Sequence, residues 1–253
     1  MKAMILAAGL GTRLRPLTDD RPKALVTVAG RTLLEITLTR LRSFGVDEVI
    51  VNAHHFAEMI VDYLKSNNSF GIKVEVSLEE ELFDTGGGLK KAAQFFSNSM
   101  DEPFVLHNVD VLSTIDLGSM VRFHNKNGAL ATLAVQQRAN MRQLLFDENG
   151  LLCGRRDRSN KDAQIPRSKN PDLEHSNSTA LAFSGIHVLS PRFFSKLEEE
   201  GAFSIISAYL RLAAEGEKIL AFRADERYWR DLGKQESIRQ AEKEIASGRY
   251  STA

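Results

Sequence analysis

Cysteine, net charge and long apolar runs are all scarce in this 253-residue chain. The single cysteine, Cys153, excludes an intramolecular disulfide and fits a reducing compartment. It falls in an apolar hairpin segment and reads as inert. Lys plus Arg total 33 and Asp plus Glu total 33, so the formal net charge is zero. That balance argues against a general nucleic-acid binder. No apolar run approaches the roughly 20 residues of a membrane span. The opening MKAMILAAG is too short and too soon interrupted for a signal h-region, and reads as a first strand. The expectation is a soluble, cytoplasmic protein, monomer or homodimer, that meets neither nucleic acid nor membrane. A hydrophobic content of 43% leaves ample material for a core.

Strand and helix patterns alternate through the first half. KAMILAA (2–8) is a continuous apolar run suited to a strand covered on both faces. RTLLEITLTRLRSFG (31–45) spaces Leu34, Thr37, Leu38 and Leu41 as a helix that stops near Gly45. EVIVNA (48–53) is a second buried-strand run. HHFAEMIVDYLKS (54–66) puts Phe56, Met59, Ile60, Tyr63 and Leu64 on one helical stripe. His54 and His55, adjacent and so not facing one point, are expected to cap that helix rather than to bind metal. IKVEVSL (72–78) reads as strand and 87–96 as helix. PFVLHNVD (103–110) reads as strand, 116–128 as a helix ending at Gly128, and 129–137 as strand.

After residue 140 the rhythm changes. RQLLFDENGLLCGR (142–155) predicts a β-hairpin turning at Glu148-Asn149-Gly150. Residues 155–178 carry ten charged side chains and almost nothing apolar, the pattern of a long surface loop or lid. TALAFSGIHVLS resumes as strand, PRFFSKL starts a helix at Pro191, and FSIISAYLRLAAEG is a further helix. KILAFRA and RYWRDLG are strand-like. QESIRQAEKEIASG closes as an amphipathic helix through Ile238, Ala241 and Ile245. The alternation predicts a Rossmann-like three-layer α/β/α fold around a predominantly parallel mixed sheet, with ligands at the carboxyl ends of its strands. No repeat or clear linker divides it, so residues 1–253 are expected to form one domain.

The densest chemistry lies at LAAGLGTRLRPLTDDRPKAL (6–25), a glycine loop with three arginines and a lysine after an apolar run. Two familiar phosphate loops fail here. The dinucleotide fingerprint needs a third glycine where the chain has Leu14, and no Gly-Lys-Ser/Thr follows for a Walker loop. Small residues at 7–12 allow close backbone approach to a nucleotide, while Arg13, Arg15 and Lys23 supply phosphate donors. Thr18 and Asp19 can tie turns. A surface loop with solvated arginines is the plain alternative, which the density of the motif disfavours.

GLGTRLRPLTDDRPKAL resembles the sugar-1-phosphate nucleotidyltransferase signature G-x-G-T-R-x-R-P-x-T…P-K, matching at Gly9, Gly11, Thr12, Arg13, Arg15, Pro16, Thr18, Pro22 and Lys23. The likeness continues through DTGGGL (84–89), NVD (108–110), FSGIHVLSP (183–191), FSIISAYL (203–210) and YWRDLG (228–233). It implies the nucleotide-diphospho-sugar transferase fold, with a nucleotide-binding half at 1–135 and a sugar-binding half at 136–253. It also implies a reaction: a nucleotidyl group passes from an NTP to a sugar 1-phosphate and pyrophosphate leaves. By the resemblance, Asp110 and Asp231 hold Mg²⁺, which fits a hard cation sharing phosphate oxygens. Taken alone, Asp110 reads equally as a helix N-cap and Asp231 as a turn residue. Arg13, Lys23 and Asp110 are the implied catalytic residues. Leu6, Ala8, Gly9, Gly11, Thr12, Arg13, Lys23, Gly87, Gly88 and Asn108 are the implied nucleotide contacts, with Asn108, Gln143 and Asp231 toward the sugar. TGGGL also reads as a helix start.

Two departures stand out. The family often has glycine before the aspartate, where this chain has Val109, expected to crowd sugar or metal. The charged stretch at 155–178 is longer than in the simplest members. The glycine triplet and compact length resemble N-acetylmuramate-1-phosphate uridylyltransferases of cell-wall recycling, giving UTP and N-acetylmuramate 1-phosphate as first expectation. GTP with mannose or heptose 1-phosphate is the alternative. A metal-dependent glycosyltransferase would share the fold but has no use for the arginine loop. A non-catalytic nucleotide-sugar sensor remains as a rival from another class, on the strength of Val109.

Overall fold

Consecutive residues of the first strand go to opposite sides of a sheet. Ala3, Ile5 and Ala7 join one apolar cluster while Met4 and Leu6 join another. A strand buried on both faces needs cover on both, which is why its sequence shows no polar alternation. The computed structural model describes residues 1–98, 102–157, 163–164 and 178–250, with backbone alone at 163–164.

The strand β1 (Lys2–Leu6) leads through a loop with two 3-10 turns, Thr12–Leu14 and Lys23–Leu25, to β2 (Thr27–Val28), β3 (Arg31–Thr32) and α1 (Leu33–Ser43). Next come β4 (Glu48–Ala53), α2 (Ala57–Ser66), β5 (Lys73–Leu78), α3 (Asp84–Lys91), α4 (Ala93–Phe96) and β6 (Phe104–Asn108). The chain continues as β7 (Val111–Ser113), α5 (Leu117–Asn127), β8 (Ala131–Gln136), β9 (Arg142–Phe146), β10 (Leu152–Asp157) and β11 (Ala163–Gln164). Last are β12 (Thr179–Leu189), α6 (Ile205–Ala214), β13 (Ile219–Arg223), β14 (Trp229–Asp231) and α7 (Gln235–Ala246).

The main sheet runs β11-β10-β9-β12-β6-β1-β4-β5, with β8 pairing β12 and β13 pairing β8. It is a mixed sheet: β6, β1, β4 and β5 are parallel, as are β8 and β13, while β12 enters antiparallel to β6. Helices α1, α2, α5 and α7 pack one face through residues such as Leu34, Ile60, Met120 and Ile238. Helices α3, α4 and α6 pack the other through Leu89, Phe96 and Tyr209. Three layers result, as expected. Local capping agrees with the pattern: Thr32 Oγ1 accepts from Glu35 N at 3.1 Å to start α1, and Asp116 Oδ1 accepts from Ser119 N at 2.9 Å to start α5.

Several expectations need correction. The helix expected at 87–96 begins at Asp84 and breaks at Ala92, giving α3 and α4. Pro191–Lys196 is a 3-10 segment. His54 and His55 do not cap α2, whose N-cap is Phe56 without a side-chain bond; His54 Nδ1 instead meets the Glu79 carbonyl at 2.9 Å. Met59 leaves the apolar stripe of α2 and is exposed, while Ile60 and Leu64 are buried and Ala57 and Tyr63 pack against the core. The hairpin at 142–157 forms as expected, with Asp147 Oδ1 accepting from Asn149 N and Leu151 N to close its turn. It also claims residues 155–157, the start of the expected loop, as the end of β10, and 163–164 pair with it as β11. The rest of that loop lies outside the described residues. The β2–β3 hairpin was not expected; its two-residue turn, Ala29-Gly30, has φ of 50° and 81°.

Three histidines are buried in this frame. His107 is pushed down to about 4, by burial first and then by the Arg40 charge. Burial followed by the Arg192 charge holds His124 at about 4, and burial followed by His107 holds His187 at about 3. His124 is hydrogen-bonded to the Thr132 and Ser190 hydroxyls, and His187 to the Tyr209 hydroxyl. An unfolded histidine titrates near 6.5. Between that value and the folded ones, the unfolded chain holds more protons, so stability falls as pH drops. Each histidine contributes at most about 1.4 kcal/mol per pH unit to that slope. Urea unfolding should therefore show a midpoint that declines steeply from about pH 6.5 to 4. His107→Leu should make the decline shallower by one proton, and an unchanged slope would refute this assignment.

Candidate active site

The loop after β1 owes its shape to one glycine. Gly11 has φ +66°, and a Cβ there would lie 2.9 Å from Thr18 Cγ2 and 3.2 Å from Lys23 Cβ. Thr18 Oγ1 donates back to the Gly11 carbonyl at 2.9 Å, and Leu14, fully buried, anchors the turn between them. The fold over Gly11 brings Lys23 under the loop, where its Nζ donates to Asp110 Oδ2 at 3.1 Å. Both side chains are largely withdrawn from water, at 15% and 11% exposure.

That ion pair stands where two clefts meet. A smaller one of about 420 Å³ is lined by Leu6, Ala8, Gly9, Lys23, Asn52, Leu82, Asp84 and Thr85. A larger one of about 700 Å³ is lined by Arg13, Arg138, Asn140, Phe183, Gly185, Trp229, Asp231 and Lys234 among others. Asn108 and Asp110 line both.

Asp231 reaches Asp110 through backbone pairing. β14 lies antiparallel to β7 with Asp231 opposite Val111, and Leu232 N donates to the Asp110 carbonyl at 2.8 Å. Asp231 Oδ1 accepts from Gly233 N at 2.6 Å. A Cβ on Gly233 would sit 2.5 Å from Arg13 Nη2 and 2.7 Å from Asp231 Oδ1, so the missing side chain lets this guanidinium and carboxylate share one corner. Arg13 is exposed and makes no ion pair or hydrogen bond among the described residues, leaving its donors free for a ligand. Arg15 turns away toward Asp19, at 3.4 Å.

Two asparagines stand level with Leu6, the last residue of β1. Register places Asn52 of β4 and Asn108 of β6 on either side of it. Asn52 is tied on both ends, accepting from Ala7 N and donating to Glu79 Oε1, each at 2.7 Å. Asn108 faces the larger cleft past Gly185, whose φ is +72° and whose Cβ would come within 2.9 Å of Asn108 Nδ2.

Of the residues expected to contact nucleotide, Leu6, Ala8, Gly9, Lys23 and Asn108 line the smaller cleft, and Arg13 lines the larger. Gly11 and Thr12 shape the loop behind it. Gly87 and Gly88 are buried in α3 and line neither cleft. A Cβ on Gly87 would meet the Gly201 carbonyl at 2.3 Å, and one on Gly88 the Glu79 and Asn52 side chains at 2.7 and 2.8 Å. These glycines therefore serve close packing of α3, and Leu82, Asp84 and Thr85 face the cleft instead. Gln143 also lines neither cleft: it is buried on β9, with its Oε1 lacking a partner among the described residues. Val109 does not crowd the site, because its side chain is 1% exposed within the core cluster on the far side of β6.

Sequence reading missed Asn52, Arg138, Asn140, Trp229 and Lys234. For Asn52 a signal existed: a polar residue closing an apolar parallel strand, as in EVIVN, repeats the position of Asn108 in FVLHN. Arg138, Asn140 and Lys234 lie on irregular segments, and Trp229 on a three-residue strand too short for periodicity to mark it.

The donor set suits a hard divalent cation. Asp110, Asp231 and the Asn108 amide line one cleft, and no group of three His, Cys, Asp or Glu is placed to hold a metal among the described residues. Mg²⁺ accepts one or two protein carboxylates and completes its shell from phosphates and water. Asp231 has only Oδ1 engaged, by the Gly233 amide, so its second oxygen is available.

The sequence profile of the family described as Nucleotidyl transferase matches residues 2–144. The chain is 31% identical to the N-acetylmuramate alpha-1-phosphate uridylyltransferase of Caulobacter vibrioides, over 96% of both chains. It is 30% identical to the UTP--glucose-1-phosphate uridylyltransferase of Synechocystis, over 92% of this chain but 60% of that longer protein. Its fold is similar to UDP-glucose pyrophosphorylase solved with UDP-glucose, at a TM-score of 0.76 and 20% identity, covering 98% of this chain and 99% of that one. With the glycine loop, the paired clefts and the facing aspartates in place, the chain belongs to the Nucleotidyl transferase family.

Proposed function

We propose that this protein transfers a uridylyl group from UTP to N-acetylmuramate 1-phosphate in the presence of Mg²⁺, releasing pyrophosphate. The observation that carries the reading is the Lys23–Asp110 pair at the junction of the two clefts, where nucleotide and sugar phosphates would meet. The choice of base and sugar is supported by the Caulobacter relative, 96% of whose length aligns with this chain. The division of labour follows the chain: residues 1–135 build the smaller cleft with help from Ala202, and 136–253 supply most of the larger one. A cytoplasmic setting belongs to the same reading.

Asp110, Asp231 and Asn108 would hold Mg²⁺, which when bound neutralises charge developing around the α-phosphate. Lys23 presents its ammonium to both phosphates and draws the attacking sugar-phosphate oxygen toward the α-phosphorus. Arg13, free of any protein partner described, clamps the outer phosphates and steadies the leaving pyrophosphate through planar paired donors. No residue need act as general base, since a sugar phosphate oxygen is already ionised at neutral pH. The glycine-loop backbone and Asn52 bound the nucleotide, and the backbone at Gly185 keeps Asn108 turned to the sugar side. With Val109 in the core, the feature that favoured a non-catalytic sensor is gone.

The test is pyrophosphate release across a grid of nucleoside triphosphates and sugar 1-phosphates with Mg²⁺. The strongest cell should be UTP with N-acetylmuramate 1-phosphate, and a blank grid with intact nucleotide binding would overturn the proposal. Lys23→Ala and Asp110→Asn should each lower kcat by about 10²–10³-fold, as for loss of one charge-stabilising group. Gly233→Ala is a subtler probe. Its methyl would push Arg13 and Asp231 apart, so kcat should fall at least about tenfold while the melting temperature stays put. Unchanged kcat in that variant would show that the shared corner is not used.

A further inference from the structure

Arg138 is a partly buried cation. Its side chain is mostly withdrawn into the wall of the larger cleft, and no carboxylate lies within ion-pair distance of it among the described residues. Its guanidinium lies 3.5 Å over the centre of the Trp229 ring, and Nη2 donates to the Phe183 carbonyl at 2.6 Å. Nε is buried and makes no hydrogen bond in the described structure. Trp229 is itself fixed, since Nε1 donates to the Ser184 carbonyl at 2.7 Å. Burial lowers the Arg138 pKa to about 10, and the Asp231 charge opposes that shift. The side chain remains a full cation at neutral pH, held in one orientation at a desolvation cost that the Asp231 charge offsets only in part.

Of the other cations of this cleft, Arg230 is bound by Glu244, at 2.9 and 2.6 Å, whereas Arg13, in the corner with Asp231, and Lys234 are exposed side chains; Arg138 is the one of the set stacked on an aromatic ring among the described residues. Trp229 and Asp231 are two residues apart on β14, so they share a face and stand about 7 Å apart along the strand. The Arg138 cation, stacked on Trp229, is thus about one sugar ring away from the aspartate that faces the phosphates. An anion carried across the ring from C1 would reach it; the 1-phosphate itself is met by Lys23.

We propose that Arg138 is a specificity-determining residue that binds a carboxylate substituent on the sugar ring, so that the larger cleft selects acidic sugar 1-phosphates over their neutral counterparts. This rests on the assignment of the larger cleft to the sugar 1-phosphate. Guanidinium offers planar donors matched to a carboxylate, and stacking on Trp229 pre-orients them, which lowers the ordering cost on binding.

The test compares N-acetylmuramate 1-phosphate with N-acetylglucosamine 1-phosphate, which differ by the lactyl ether that bears the carboxylate. Wild type, Arg138→Gln and Arg138→Lys are measured with UTP and Mg²⁺, and by calorimetric binding of the two sugar phosphates without nucleotide. The expected result is that Arg138→Gln raises KM and Kd for the acidic sugar about 10–100-fold, leaves the neutral sugar within about threefold, and barely alters kcat. Arg138→Lys, which keeps the charge, should restore part of the discrimination. Equal weakening of both sugars would assign Arg138 to the phosphate or to holding β12, and would overturn the proposal. So would equal binding of the two sugars by wild type. The binding arm decides the role of Arg138 even if turnover is absent, and absent turnover on every sugar counts against the transferase reading alone.

Discussion

The site depends on three residue pairs of antiparallel sheet. β7 and β14 are each three residues long, yet their register sets Asp231 opposite Val111 and bonds Leu232 to the carbonyl of Asp110. Among the described residues, this pairing is what joins the segments that carry the two carboxylates, from the middle and the end of the chain, at one cleft. Two such short strands cannot hold themselves together. Their support comes from outside the pair. Tyr228 N donates to Thr114 Oγ1 at 3.0 Å, Trp229 Nε1 grips β12, and Arg230 is locked to Glu244 on α7. Glu244 is held down to about 2 against the cost of burying it, because Arg230, Tyr228 and Gln240 all donate to its carboxylate. The closing helix is therefore a strut for the catalytic end of β14.

Electrostatics explains why the clefts hold so many cations. Two aspartates lining one cleft repel, and Asp110 is withdrawn from water besides. Lys23 answers Asp110 directly, and Arg13 stands beside Asp231 across the empty side of Gly233. These same cations are the groups a polyphosphate needs. In the proposed reaction, a divalent ion held by the carboxylates would leave Lys23 free of Asp110 to meet phosphate, so the same charges would serve both roles. A chain with zero net charge thus concentrates its opposite charges locally rather than globally.

How much of this was legible follows from where periodicity exists. β1, β4 and α1 announce themselves, since a continuous apolar run and a 3.6-residue stripe admit few other readings. EVIVNA coincides with β4 over its whole length. The loop motif exposed Arg13, Lys23 and, through its resemblance, both aspartates. What stayed hidden was register. That Asn52 and Asn108 flank Leu6 depends on how β4 and β6 slide against β1, and single-sequence patterns do not state it. Gly87 and Gly88 show a further limit: glycine marks close approach, and sequence does not say that Gly201 and the Asn52 and Glu79 side chains are among the bodies that approach.

Val109 teaches the same point from the other side. In a strand extension the side chains alternate, so Asn108 and Asp110 facing the clefts puts the residue between them into the core. There Val109 packs at 1% exposure while its amide donates to the Leu6 carbonyl at 3.2 Å, continuing the ladder one step past the last residue of β6. A branched apolar side chain at this position does not narrow the site; it adds buried surface directly beneath it, worth about 1.5–3 kcal/mol. That anchor stiffens the dipeptide steps to Asn108 and Asp110, the two residues that both clefts share. A glycine there would leave the same geometry available with less to hold it, so the departure from the family pattern tightens the floor on which the phosphates would meet.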